Sequence, residues 1–167
     1  MLSSKLHAIV LKRSNFGEAD KMVTVFSLES GKVSLVAKGV RRIKSRRAPH
    51  LEPLSEVTIV THKNIITEAK SNSRNNHNLS SLGHAFYATE IVDKLLPAEQ
   101  PHEDIYHLLS NLIKNDVSEN KVKEFTLKVL WSLGYLPRNT YPKIGITTFV
   151  EQIAEKRIRS KKFLEEI

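Results

Sequence analysis

The stretch "KMVTVFSLESGKVSLVAKG", Lys21 to Gly39, decides the fold. Two runs rich in Val, Thr, Phe and Leu flank "ESGK", Glu29 to Lys32. Branched and aromatic side chains suit a pleated surface, and Gly31 can supply the positive φ of a hairpin turn. In the second run Val33, Leu35 and Ala37 fall on one face by period-two alternation. Similar segments lie on both sides: "LHAIVLKR" (Leu6 to Arg13) before, "LSEVTIVTH" (Leu54 to His62) and "KNIITEAK" (Lys63 to Lys70) after. Turn chemistry separates them. "SNFGEAD" breaks the first strand from the second, and "THKN" closes the last pair. "RRAPHLEP" carries two prolines and cannot be an interior strand, because proline lacks the ladder N–H. Five short strands within the first 70 or so residues predict a small closed barrel, since closure removes sheet edges.

"SNSRNNHNLSS", Ser71 to Ser81, is polar and rich in Asn and Ser, and marks the domain junction. The reading places a barrel domain at 1–75 and a helical domain at 79–167. Past the junction the hydrophobic period becomes helical. A first helix runs from about Ser80 to Leu96 and stops at Pro97. A second opens at Pro101 with Glu103 and Asp104 in its first turn. Its Ile105, Leu108, Leu109, Leu112 and Ile113 keep the spacing of one buried stripe. A third is capped by Ser118, carries Val122, Phe125, Val129, Leu130 and Leu133, and ends at Gly134. In the last segment Ser160 is expected to cap a final turn or two bearing Phe163, Leu164 and Ile167.

The composition excludes several classes of function. There is no cysteine, which removes disulfides, thiol catalysis, iron–sulfur clusters and thiolate zinc together and suits a reducing cytoplasm. No apolar run approaches the ~20 residues of a membrane-spanning helix, and Met1 to Lys12 shows no secretory signal. "SGKVS" lacks the glycine spacing of a phosphate-binding loop, and no nucleophile elbow is present. His102 and His107 are five apart and do not share a helix face. No enzymatic activity, cofactor or metal site is expected.

Charge is the main functional signal. The net charge is +8. Residues 1–75 hold 14 Lys and Arg against 6 Asp and Glu, a balance of +8, whereas residues 76–167 hold 12 against 12. Segregated positive charge is an electrostatic argument for a polyanion on the first half. Within it, Lys38 to Arg47 contains six bases and no acid. Lys38, Arg41, Arg42, Lys44, Arg46 and Arg47 are expected on a mobile loop beside the barrel, contacting a nucleic-acid backbone. Lys12, Arg13 and Lys21 extend the patch, and Phe16 is the one plausible stacking platform. The alternatives are an inert solvated loop, an RNA or ribosome binder, and a module for an acidic protein partner.

The residues also resemble a known family. "AIVLKRSNFGEADKMVTVFSLESGKVSLVAKGVRRIKSR", Ala8 to Arg46, resembles the N-terminal domain of RecO, the bacterial recombination mediator. "LEPLSEV" is similar to that family's "LQPF" connection, "KEFTLKVLWSLGYLP" to its helix ending in "LGY", and "KRIRSKKFLEEI" to its terminal "LKSR" helix. The resemblance implies an α+β protein: a five-stranded OB-fold barrel, then a reduced all-helical C-terminal domain in a short form lacking the family's cysteine zinc module. It further implies a non-enzymatic, cytoplasmic, nucleoid-associated mediator. Such a protein binds single- and double-stranded DNA, anneals strands, engages the C-terminal tail of single-stranded DNA-binding protein, and works with RecR to load RecA. Lys121, Lys123 and Lys128 on the third helix are the candidates for the acidic tail, with a solvated helix face as the plainer reading.

Overall fold

The computed structural model describes residues 3–73 and 77–164. Five strands come first: β1 (Ser3–Phe16), β2 (Asp20–Ser27), β3 (Gly31–Ala37), β4 (Glu56–His62) and β5 (Ile65–Ser73). Four helices follow: α1 (Leu79–Leu95), α2 (Glu103–Ile113), α3 (Glu119–Ser132) and α4 (Ile146–Ala154). The chain divides into two compact units, Met1–Asn75 with Pro97–His102, and Asn76–Leu96 with Glu103–Ile167. The junction expected within Ser71–Ser81 falls partly on 74–76, outside the described residues.

The strands close in the order β1-β2-β3-β5-β4. Fourteen-residue β1 pairs antiparallel with β2 along one part and with β4 along another, which lets one strand close the cylinder. β3 meets β5 in parallel through Val36 and Ile65. This is the five-stranded OB barrel. Its interior is filled by alternate residues: Leu6, Ala8 and Val10 of β1, Val23 and Val25 of β2, Leu35 and Ala37 of β3, Val57 and Ile59 of β4, and Ile66 of β5. Gly31 has φ +70, and a Cβ there would lie 2.1 Å from the Gln100 carbonyl oxygen. Only glycine lets Pro97–His102 lie against the β2–β3 turn, where the Glu99 N–H donates to the Lys32 carbonyl.

In the helical unit, Asn78 caps α1 by accepting from the Ser81 N–H, and Ser118 caps α3 by accepting from the Lys121 N–H. Gly134, at φ +79, ends α3. The α2 stripe is buried at Ile105, Leu109 and Ile113, while Leu108 and Leu112 are half-buried. Tyr87 of α1 bonds Thr147 of α4 at 2.7 Å. Burial pushes its phenol up to about 12, so it stays neutral.

Ser160 departs from its expected role as a cap. It lies inside a 3-10 turn, Arg159–Phe163, whose N-cap position is Ile158. Its hydroxyl and N–H both donate to the Glu90 carboxylate, which also accepts from the Arg159 N–H. Leu164 is the C-cap of that turn, and Ile167 lies outside the described residues.

Candidate nucleic-acid interface

The basic segment leaves β3 at Ala37 and is pinned at both ends by apolar side chains. Val40 and Leu51 turn into the barrel core, 5% and 1% exposed. Gly39, at φ +69, makes the bend, and its N–H donates to Asp20 Oδ1 at 2.7 Å. The Arg41 N–H donates to Ala19, the Arg42 N–H to Gly39, and the Ser45 N–H to Arg42. The Ala48 N–H donates to Ser45 Oγ and opens a 3-10 turn, Ala48–His50. The expected mobile loop is instead a hydrogen-bonded series of turns. Several of its backbone donors find partners within the barrel unit, and Val40 and Leu51 plug the barrel end.

The six bases divide by what they touch. The Arg47 guanidinium donates to the Ile66 carbonyl at 2.7 Å and the Lys38 carbonyl at 2.6 Å. It ties the turn to β5 and is occupied internally. Arg41 Nη1 donates to the Gly17 carbonyl at 2.9 Å. Lys38, Arg42, Lys44 and Arg46 have no side-chain partner among the described residues. With Gly39 and Ser45 they line an open cavity of about 600 Å³. Asp20 is its single acid, and that carboxylate already accepts from Gly39. Four unpaired cations around one concavity repel one another, and an anion relieves that repulsion. Ile43, wholly exposed, stands among them at the tip.

Lys12, Arg13 and Lys21, expected to extend the patch, and Phe16, expected as a stacking platform, are divided between the two faces of the β1–β2 ladder. The β1–β2 register slips between Val10 and Lys12, so Arg13 pairs with Val23 and Asn15 with Lys21. Arg13 and Lys21 therefore share one face, and Lys12 and Phe16 take the other. Arg13 also pairs with Glu52 at 2.7 Å. Phe16, 48% exposed, does not lie on the face of Arg13 and Lys21. No sequence signal reveals the slip. The isolated Ile43 among bases is a signal that sequence reasoning passed over.

In the helical unit, Leu108, Leu112 and Phe125 line a groove of about 310 Å³ between α2 and α3. Lys121 and Lys128 stand on its rim with Glu124, seven residues apart and hence on one face. Lys128 pairs with Glu124 at 2.8 Å, and Lys121 Nζ donates to the Asp116 carbonyl. Lys123 is not in the groove and pairs with Glu119 at 3.1 Å. Among the described residues no cluster of potential metal ligands occurs, and no helix is long and apolar enough to cross a membrane.

A closed OB barrel with a cationic cavity beside its β3–β4 connection, followed by a helical unit, defines an OB-fold protein with a basic surface on its barrel. The family model described as Recombination protein O N terminal matches residues 1–82, and that for Recombination protein O C terminal matches 76–141. Several relatives carry the name DNA repair protein RecO. That of Geobacter metallireducens is 34% identical over 124 residues, covering 68% of this chain and 50% of the relative. That of Acetivibrio thermocellus is 33% identical over 160 residues, covering 87% and 63%. That of Pelotomaculum thermopropionicum is 29% identical over 143 residues, covering 80% and 56%. The chain belongs to the RecO family. It spans about half the length of the first of these relatives and 63% of the second.

Proposed function

We propose that this chain is a non-enzymatic DNA-binding mediator of recombinational repair, with its barrel (1–75) and helical part (79–167) as separate domains. The observation that carries the reading is the set of four cations without a side-chain partner among the described residues, Lys38, Arg42, Lys44 and Arg46, on one anchored turn of a RecO-family barrel. They hold the phosphate backbone of single- and double-stranded DNA without reading sequence. Arg41, Arg47, Arg13 and Lys21 support that surface or border it, and Lys12 lies on the other face of β1. A cationic surface that screens two strands from each other also favours annealing.

Family membership supports the remaining partners: RecR, RecA loaded onto coated DNA, and the tail of single-stranded DNA-binding protein. For that tail, acidic and ending in an apolar residue with a free carboxylate, the α2–α3 groove has matching chemistry. Leu108, Leu112 and Phe125 accept the apolar residue, and Lys121 and Lys128 meet the acids. Lys123 lies away from it. The work is placed in the cytoplasm at the nucleoid, where such DNA is found.

The test is fluorescence anisotropy of labelled single strand, duplex and RNA of matched length across a salt series. Tight DNA binding that weakens steeply with salt is expected. No DNA binding at low salt, or a clear preference for structured RNA, overturns the reading.

A further inference from the structure

The slip in β1 re-aims side chains as well as bending the strand. Up to Val10, even-numbered residues of β1 face the barrel interior. Between Val10 and Lys12 the strand advances by two residues while β2 advances by one, from Val25 to Thr24. Buried Leu11 is the inserted residue. Beyond it the odd positions face inward, so Arg13 and Asn15 stand with Lys21 over the barrel end. A regular strand would have turned Lys12, Ser14 and Phe16 there instead.

These three polar residues and Arg41 border a cavity of about 270 Å³ whose apolar lining is Val23, Val40, Ala48 and Leu51. We propose that it receives one unpaired nucleobase of a bound single strand, with the neighbouring phosphates held by Arg13, Lys21 and Arg41. The inference rests on the DNA-binding reading and deepens it. The apolar lining rewards a flat ring that leaves water. The Asn15 amide offers a donor and an acceptor to a base edge. Three cations on the rim suit the charges either side of that base. The volume lies just under the range of drug-sized ligand sites, which leaves room for a single base. A free inorganic anion would leave the lining unused, and a neutral apolar ligand would leave the cations unused. Rim geometry is fixed before binding, since Arg41 is held by the Gly17 carbonyl and Arg13 by the Glu52 carboxylate.

A paired base reaches such a cavity only by leaving its stack and its partner, which opposes binding. The cavity therefore distinguishes unpaired from paired DNA, which the phosphate-binding turn does not.

The first arm uses the wild-type chain and two single strands of equal charge, one normal and one with abasic residues throughout. Binding of the abasic strand about tenfold weaker is expected, because the ring that would leave water for the apolar lining is missing. Equal binding overturns the cavity assignment and leaves the phosphate reading standing. Absence of binding to either strand or to duplex overturns that reading, and this inference with it. The second arm fills the cavity with Ala48→Phe. A folded variant should lose about tenfold for single strand, as the abasic strand does, and keep its duplex affinity and salt slope. Unchanged single-strand affinity overturns the assignment. If the variant fails to fold, the abasic comparison decides alone.

Discussion

Replacing Arg42, Lys44 and Arg46 by alanine removes three of the four cations of that cavity that have no side-chain partner among the described residues. None of the three anchors the turn; Val40, Leu51 and Arg47 do that. The fold should therefore survive, and the effect should appear in binding. Each phosphate contact on a single strand contributes about 0.7 to the slope of log affinity against log salt, so three lost contacts flatten it by about 2. At ~0.1 M salt this amounts to about a hundredfold weaker binding. Arg47→Ala is the opposite control. Its guanidinium serves the carbonyls of Ile66 and Lys38, and their loss of a donor costs about 1–3 kcal/mol of stability. The salt slope should stay as it was. Anisotropy titrations across a salt series, with thermal melts of each variant, read both quantities. A triple variant with an unchanged slope and an intact melt would refute the assignment of these bases to phosphate. An Arg47→Ala variant of full stability that loses slope would show that Arg47 contacts phosphate rather than anchoring the turn.

Three other outcomes follow from the geometry. Gly31→Ala meets both a positive φ and the Gln100 carbonyl at 2.1 Å; a loss of about 2 kcal/mol or more is expected, seen as a melting point lower by about 4–8 °C, and an unchanged melt would contradict the close approach. Glu90 is half-buried, and burial by itself raises its pKa. The bonds from Ser160 and Arg159, with Lys94, outweigh that and hold the carboxyl below its ordinary value of 4.5. A depressed folded value means that this stabilisation is fully present above 4.5 and fades as pH falls through the folded value. Acid should loosen Arg159–Phe163, and Glu90→Gln should do so at neutral pH. Trypsin at neutral pH, followed by mass spectrometry, should cut the variant faster after Arg159 and Lys161; equal rates would remove Glu90 as the clasp. Lys121→Glu with Lys128→Glu should abolish binding of an acidic peptide ending in an apolar residue and leave DNA affinity unchanged, whereas Lys123→Glu should do little to either. Isothermal titration calorimetry with such a peptide distinguishes the groove from the opposite face of α3.

Much of the fold was legible because its signals are local. The β2–β3 hairpin shows in alternation and in Gly31, α2 in its apolar stripe, and α3 in Ser118 and Gly134. Each depends on residues a few positions apart, so sequence spacing becomes geometry directly. Ser160 misled because a serine near a turn reads as a cap, while its actual partner, Glu90, is 70 residues away.

The site divides in the same way. The sequence by itself determined that the positive charge is concentrated on the barrel half and that six bases follow β3. It also determined that neither cysteine nor a phosphate-loop motif offers another chemistry. Charge and composition need no coordinates. The tertiary structure alone decided which bases have internal partners. Arg47 is taken by carbonyls of β5 and of its own turn, Arg41 by the first hairpin, and Val40 and Leu51 fix the turn between them. It also decided that Arg13 and Asn15 stand over the barrel end while Lys12 and Phe16 turn away. One inserted residue reverses the facing of every side chain beyond it, and that insertion is defined only by the register with a partner strand.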